Sequence, residues 1–520
     1  MDTDILIVGA GPTGLLLAIE LARRAIPHRL IDKAILRTQE SQALGLHPRT
    51  LEVLENVGVI RDCLRDSVAL KATSVYTPGC SPRRISLELA SDSRIPYPEI
   101  RVLPQKRLES ILTRRLEQLG GCVERGVAFQ KGRVSDDLVT AVLSHQDGAV
   151  ESLACRFLVG CDGPYSRVRA STGIGFPGHT EELVYTLGEA SVDWALPHGE
   201  SYQFVGATRY LLAIPLPQPN RFRLATWESA PPSRCPERVQ HGPLVSSPCL
   251  EDFQAIVREV VPVPTRLSDA ARLTSYRVGA RLAQRFRQGP VFLAGDAAHI
   301  LPPIGAQGMN LGLQDAFNLG WKLAAGAPEE LLDSYEQERR PIAAVMLEQA
   351  GRALSSLDSW NEPRGWANLE RLMLARRWSH LDANYRTSPA VCDLDIDLPE
   401  AAIRAGDRAP DGWLKEPATK GKVRLFELFR EPIYHLLTFG DLEEVANRLR
   451  REFADQIKVH SLGQEPNQDT EALLSAYGFR GAGMVLIRPD GYVAFRGPAS
   501  QARELFRFLG SLQLSGEVAV

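Results

Sequence analysis

None of the eight cysteines (Cys63, Cys80, Cys122, Cys155, Cys161, Cys235, Cys249 and Cys392) stands in a Cys-x-x-Cys pair. The sequence therefore offers no dithiol redox motif, and reduced, structural thiols are expected. The ten histidines form no His-Glu-x-x-His pattern, and no ligand cluster supports a metal site. Gly-x-Ser-x-Gly and Gly-x-x-x-x-Gly-Lys-Ser/Thr are both missing, which disfavours hydrolase and nucleotide-phosphatase chemistry. No apolar run approaches the roughly 18 to 20 residues needed to span a bilayer, and Glu20 breaks the first helix. A net charge of −3 with scattered basic residues provides no field for nucleic acid or an anionic membrane, so neither is expected as a partner. The acidic start, Met1 to Asp4, leads directly into the first apolar strand, and a cleavable leader would remove that strand. The cytoplasm is the expected location.

That first strand carries chemistry. Residues 5–14 run from Ile-Leu-Ile-Val into Gly9-x-Gly11-x-x-Gly14, and Asp32 closes the next apolar run. Gly9 allows the tight turn, Gly11 lets the backbone approach a pyrophosphate, and Gly14 lets the following helix pack closely on the strand. The helix N-terminus faces the phosphates, and Asp32 can accept hydrogen bonds from ribose hydroxyls. Pro12 and Thr13 in the loop, and Lys33 after the acid, complete the candidate contacts of this segment. A dinucleotide site is expected here, and no second fingerprint occurs.

Two further segments repeat a plan of apolar strand, acid and helix start: residues 157–169 with Asp162 and Gly163, and residues 289–312 with Gly295 and Asp296. Together the three resemble the single-component (class A) FAD-dependent aromatic hydroxylases, the family of para-hydroxybenzoate, phenol and polyketide hydroxylases. The resemblance spans nearly the whole chain. It implies an α/β fold in which a Rossmann-like FAD-binding domain of the para-hydroxybenzoate hydroxylase type carries an inserted β-sheet substrate domain, with a thioredoxin-like domain at the C-terminus. It also implies noncovalent FAD, NADPH or NADH as reductant, and O2. Arg49 and Gln105 match positions that contact FAD, Asp162 and Gly163 match the motif linked to FAD and the pyridine nucleotide, and Asp296 matches the acid on the flavin ribityl chain. Two departures stand out. Asp32 replaces the more usual Glu, and Gln42 stands where many members carry Arg, which keeps hydrogen-bond donors but loses a charge.

Residues from Met309 to Ala325 read as an amphipathic helix preceded by Gly305-Ala-Gln-Gly308, so the free N–H groups of Gly308, Met309 and Asn310 are expected to point at the cofactor. Reduced flavin is an anion at its pyrimidine end, and such a helix start stabilises it as a preorganised donor set. The carbonyl of Pro303 is a candidate acceptor beside the flavin. These backbone groups at Pro303, Gly308 and Met309 are the only catalytic candidates. No side chain identifies itself as a base, and Leu44 is apolar where some phenol hydroxylases place an acid.

The segments 1–75, 101–172 and 276–355 are assigned to a discontinuous FAD domain, and 76–100 with 173–275 to the substrate domain. Its short strands carry five candidate pocket aromatics: Tyr185, Tyr202, Phe204, Tyr210 and Trp227. A Pro- and Ser-rich stretch, 228–250, is expected at the pocket edge. Residues 356–400 read as a helical linker, and 401–520, which contain no cysteine, as a structural domain whose removal spares the flavin site. The implied activity is hydroxylation of an aromatic, phenolic or polyketide-like substrate through a flavin hydroperoxide, in secondary metabolism, by a monomer or homodimer. Baeyer–Villiger insertion or epoxidation on the same scaffold, and a non-catalytic FAD-binding protein, stay open as alternatives.

Overall fold

The computed structural model describes residues 2–37, 43–89, 92–135, 137–206, 209–229, 248–323, 328–357, 376–394, 402–415, 422–462, 468–479 and 481–513. The strand Thr3–Val8 lies at the centre of a parallel sheet, between Val150–Gly160 on one side and His28–Asp32 on the other. Val291–Leu293 and Glu124–Arg125 extend it outward. Ile5, Leu6 and Ile7 are fully buried, as expected of a strand covered on both faces. The helix Pro12–Ala22 covers one face and packs on the helix Gln307–Lys322. Glu20 does not interrupt the first helix. It stays within it, wholly buried, and its carboxylate is neutralised by Arg24 at 2.7 Å and by Arg23.

A second, eight-stranded sheet stands over the first. Its order is His299–Ile300, Arg266–Leu282, Gly178–Asp193, Arg221–Ser229, Tyr210–Pro215, Glu200–Val205, Ala72–Tyr76 and Arg83–Ser86. Residues 72–75 and 276–282, assigned to the FAD domain from sequence, therefore belong to this sheet. The apolar pattern alone did not reveal that the strand Arg266–Leu282 runs on for 17 residues. Both faces are covered. One is packed under the helix Leu250–Val260 through Phe253, Ile256 and Val257, and the other turns toward the FAD domain.

The C-terminal part is a five-stranded sheet in the order Cys392–Asp393, Val493–Pro498, Gly483–Ile487, Tyr434–Phe439, Ile457–Leu462. Tyr434–Phe439 and Ile457–Leu462 are parallel across a helical crossover, and Gly483–Ile487 and Val493–Pro498 form a hairpin around Pro489 to Gly491. Cys392 pairs with Phe495, so this sheet starts before residue 401, inside the segment read as linker. Among the described residues of that linker, 376–379 form a single helical turn, and the helix Glu329–Leu357 reaches into its start.

This domain docks through buried charge. Arg408 grips Glu52 through Nε at 2.8 Å, Arg424 and Arg430 reach Glu55 at 3.0 and 2.9 Å, and Arg488 meets Glu338.

Candidate active site

The fingerprint glycines act by three different means. Gly9 has φ +102°, and a Cβ there would fall 2.3 Å from the carbonyl oxygen of Cys161. A Cβ on Gly14 would lie 1.9 Å from the carbonyl oxygen of Gly9. Gly11 caps the helix and has open space where a Cβ would stand, which is the room a pyrophosphate needs. Thr13 presses its side chain toward Gly295 and Gly312, closing the seam to the third segment. Asp32 organises the loop: Oδ2 accepts the N–H of Ala10 at 2.9 Å and Oδ1 that of Ala34 at 2.8 Å. Each oxygen keeps a lone pair for a ribose hydroxyl. Pro12 forms the first helical turn, and Lys33 is exposed beside the acid.

Asp162 caps the helix Arg167–Thr172 through Oδ2, which accepts the N–H of Arg167 at 2.7 Å. Its Oδ1 is buried with no partner, and burial raises its carboxyl above the usual carboxylate range. Gly163, at φ +81°, again has open space at the Cβ position. Gly295 donates its N–H to Asp315 at 3.1 Å. Asp296 is open to solvent on one side and surrounded by protein on the others. That protein pushes its carboxyl up, with His299 opposing. Its Oδ1 lies 4.0 Å from where a Cβ on Gly308 would stand, at the start of the helix Gln307–Lys322. The open spaces at Gly11 and Gly163, the orphaned oxygen of Asp162 and the carboxylate of Asp296 fit a hydroxyl-rich dinucleotide.

The loop before that helix is strained and heavily pinned. Pro303 is exposed at its start, Gly305 has φ +72° and Ala306 +56°. Because Ala306 is the helix N-cap, the unpaired amides of the first turn are those of Gln307, Gly308 and Met309. Asn310 is one residue too far to donate from its backbone. Its side chain instead holds the His47 N–H at 2.9 Å and the Gly45 carbonyl at 2.8 Å. The Gly305 carbonyl accepts from His47 Nε2 at 2.7 Å and from Gln307 Nε2 at 2.9 Å. His380 contacts the Gln307 side chain through Nε2, and its Nδ1 lies 2.8 Å from Gln314 Nε2. The two imidazoles stack at 5.8 Å, and the indole of Trp378 fills the space beside Gly305. Burial lowers His47 to about 4, and burial with the neighbouring His47 takes His380 well below the ordinary range. Sequence reasoning missed His47, Gln307, Trp378 and His380. His47 sits in the very segment that drew attention to Arg49, whereas His380 and Trp378 approach from the linker without any local signal.

The Arg49 guanidinium is buried against Glu52 at 2.9 Å, the Asp490 carbonyl at 2.6 Å and the ring of Tyr492, which gives it a role on the C-terminal docking surface. Gln105 lies at the start of its helix, with Oε1 accepting from Ala43 at 3.4 Å and Nε2 donating to Glu109 at 2.9 Å. Gln42 falls outside the described residues, as does nearly all of the Pro- and Ser-rich stretch.

The five candidate aromatics divide between the two faces of the upper sheet. Tyr185, Tyr210 and Trp227 gather with Tyr276 and Ile304 of the flavin loop. Tyr185 stacks on Trp227 at 5.2 Å, and the Tyr210 ring approaches Trp227 at 3.8 Å. Tyr202 and Phe204 lie on the far face with Trp194 and Phe222, beneath the helix Leu250–Val260. These two are core, not pocket.

Residues 2–350 match the FAD binding domain family and residues 403–512 match the aromatic-ring hydroxylase C-terminal family. The chain belongs to the FAD-dependent aromatic-ring hydroxylases. The hydroxylase is 36% identical to a flavin-dependent monooxygenase of Mycobacteroides abscessus over 94% of this chain and 96% of that one. It is 33% identical to an anhydrotetracycline monooxygenase of Streptomyces rimosus over 95% of each chain. The structure of aklavinone-11 hydroxylase with FAD and aklavinone superposes with a TM-score of 0.80 at 26% identity, covering 98% of this chain and 99% of that one. The hydroxylase is thus an FAD-dependent monooxygenase. Among its described residues no helix is long and apolar enough to cross a membrane, and no His, Cys, Asp or Glu cluster could hold a metal.

Proposed function

We propose that the hydroxylase oxygenates a polycyclic phenolic, polyketide-like substrate at the expense of NAD(P)H, with the ring system held between the flavin loop and the inner face of the upper sheet. The observation that carries this reading is the contiguous aromatic wall of Tyr185, Trp227, Tyr210 and Tyr276 beside Ile304. Such a wall suits a flat, extended ring system, and offset ring contacts of this kind contribute roughly 0.5–1.5 kcal/mol each beyond buried area. Relatives named for anhydrotetracycline and aklavinone support the substrate class.

Bound FAD would supply hydride acceptance from NAD(P)H and activation of O2, with one oxygen atom passing to the ring and the other leaving as water. The protein binds, orients and excludes water around it. Gly11, Gly163, Asp162 and Asp296 would hold the dinucleotide, and the unpaired amides of Gln307, Gly308 and Met309 would supply donors to the negative charge of reduced flavin. Burial pushes Tyr276 up to about 12 and Tyr185 well above the ordinary range, so the wall's phenols are protonated donors near neutrality and none serves as a base. Leu44 is buried and apolar, leaving substrate ionisation to the substrate itself.

The strand order and helical crossover of the domain from about 390 onward support a thioredoxin-like reading, and since no cysteine follows Cys392 its role in that reading is structural. A cytoplasmic monomer or homodimer completes the reading. A panel of polycyclic phenols should stimulate NAD(P)H oxidation by the FAD-loaded enzyme, with product and peroxide together accounting for the reductant. Flavin reduction that no aromatic compound stimulates would reject the substrate class.

A further inference from the structure

A cavity of about 460 Å³ lies between the start of the helix Gln105–Gln118 and the inner face of the upper sheet, within the size range of ligand sites. Charge collects around it. Asp66 is shared by two guanidinium groups, Arg65 at 3.0 Å and Arg107 at 2.7 Å. Across the cavity, Oε1 of Glu189 is shared by Arg223 at 2.6 Å and Arg272 at 3.0 Å. Arg37 adds a fifth guanidinium through Ser110 of the cavity wall, at 3.1 Å. Counting Asp62, which pairs with Arg65 at 2.6 Å, three carboxylates meet five arginines in and around this cavity among the described residues, in a protein whose overall charge is −3. Arg107 spends Nε and Nη2 on Asp66, and Arg272 spends Nη1 on Glu189. A guanidinium carries five N–H donors, so both keep donors for an anion. The two arginines come from different domains, and an anion between them would bridge the cleft.

The cavity also lies close to the flavin loop. Its wall at Pro104 leads to Gln105, whose N–H donates to the Ala43 carbonyl at 3.1 Å, and a Cβ on Gly45 would touch Ala306. From Ala43 to Gly45 is about 7 Å of extended chain. The sequence holds a single dinucleotide fingerprint, which the FAD cleft uses, so a second dinucleotide has to be held by side chains.

We propose that this cavity binds the phosphates of the pyridine dinucleotide reductant, with Arg107 and Arg272 as its anchors. The proposal rests on the reading of the protein as an NAD(P)H-dependent hydroxylase.

The test is anaerobic stopped-flow bleaching of the FAD-loaded enzyme across NADPH and NADH concentrations, for the wild type, Arg107→Gln, Arg272→Gln and Arg272→Lys. Each Gln variant should raise the apparent Kd of the reductant about tenfold, the effect of losing one charge-assisted hydrogen bond. The limiting bleaching rate and the FAD content should stay at wild-type levels, and Arg272→Lys should recover part of the affinity. Inorganic pyrophosphate should compete with the reductant in the wild type, which tests the site without any substitution. A tighter response to NADPH than to NADH, lost in the Gln variants, would assign the anchors to the 2′-phosphate, whereas equal losses would assign them to the pyrophosphate. Unchanged reductant affinity in both Gln variants, no competition by pyrophosphate, or loss of FAD from folded variants would overturn the site. A wild-type flavin that neither nucleotide bleaches would overturn the underlying reading along with it.

Discussion

Arg488 of the C-terminal hairpin forks onto Glu338 of the helix Glu329–Leu357, Nη1 to Oε1 at 2.7 Å and Nη2 to Oε2 at 2.8 Å, with both side chains buried. The same carboxylate accepts from Lys322, in the helix whose other end faces the flavin site, at 2.6 Å, and Asn318 of that helix reaches Asp490 at 3.1 Å. The C-terminal domain is therefore built into the support of the cofactor helix.

Breaking that pair should be costly. Arg488→Ala leaves Glu338 and Asp490 buried with too little positive charge, and removing one partner of a buried pair costs about 3–5 kcal/mol. Urea unfolding should show a loss of this size. Arg488→Lys should recover only part of it, since an ammonium cannot reproduce the fork. Truncation near residue 400 would strip the same partners. The remainder should then be poorly soluble and, contrary to the sequence expectation, flavin-poor, which flavin absorbance per polypeptide would register.

Asp296 should govern FAD affinity. Its carboxylate accepts no hydrogen bond from any described residue and faces the helix start at Gly308. Asp296→Ala should weaken FAD binding by about 1.5–3 kcal/mol, the value of a charge-assisted hydrogen bond. Titration of apoprotein with FAD measures it, and wild-type affinity in the variant would remove Asp296 from the site.

The division of aromatics between faces predicts opposite phenotypes. Trp227→Leu should raise KM for an aromatic substrate about two- to tenfold, matching roughly 0.5–1.5 kcal/mol of ring contact. Tyr202→Leu loses packing and the hydroxyl's bond to the Pro197 carbonyl at 2.7 Å. It should lower stability by about 1–3 kcal/mol with KM unchanged. A KM effect from Tyr202 and none from Trp227 would reverse the assignment of faces.

Acid should loosen the flavin loop. His47 has a folded-state pKa of about 4 against an ordinary 6.5, so between these values only the unfolded chain binds the proton. Stability is then fully present above about pH 6.5 and declines as pH falls toward 4, by roughly 3 kcal/mol for this residue alone. His47→Gln, which can still donate to the Gly305 carbonyl, should flatten the decline by about one proton across that window in chemical denaturation at several pH values.

Local chemistry explains what was legible in the sequence. Gly9, Gly14, Asp162 and Asp296 announce themselves because turn geometry, close backbone approach and helix capping demand particular residues at particular spacings. The direction of Arg49 was not legible, because its partners Asp490 and Tyr492 lie more than 400 residues away and helical phase alone does not choose between two buried sides. Strand alternation puts Tyr202 and Phe204 together on one face. It does not say which face meets the flavin when both are covered. His47, Gln307 and His380 form one network from three distant segments, and none of their neighbours in sequence encodes it.

With FAD bound, this cleft should pass one atom of O2 to an aromatic ring. The direct measurement is turnover of the FAD-loaded enzyme with NAD(P)H and a polycyclic phenol under 18O2, read by mass spectrometry of the product. One 18O atom should enter the product in each productive turnover, and that incorporation should be lost in Asp296→Ala at FAD concentrations that leave it unloaded. Reductant consumed entirely as peroxide with every aromatic compound, or product oxygen drawn from water, would contradict this oxygen transfer.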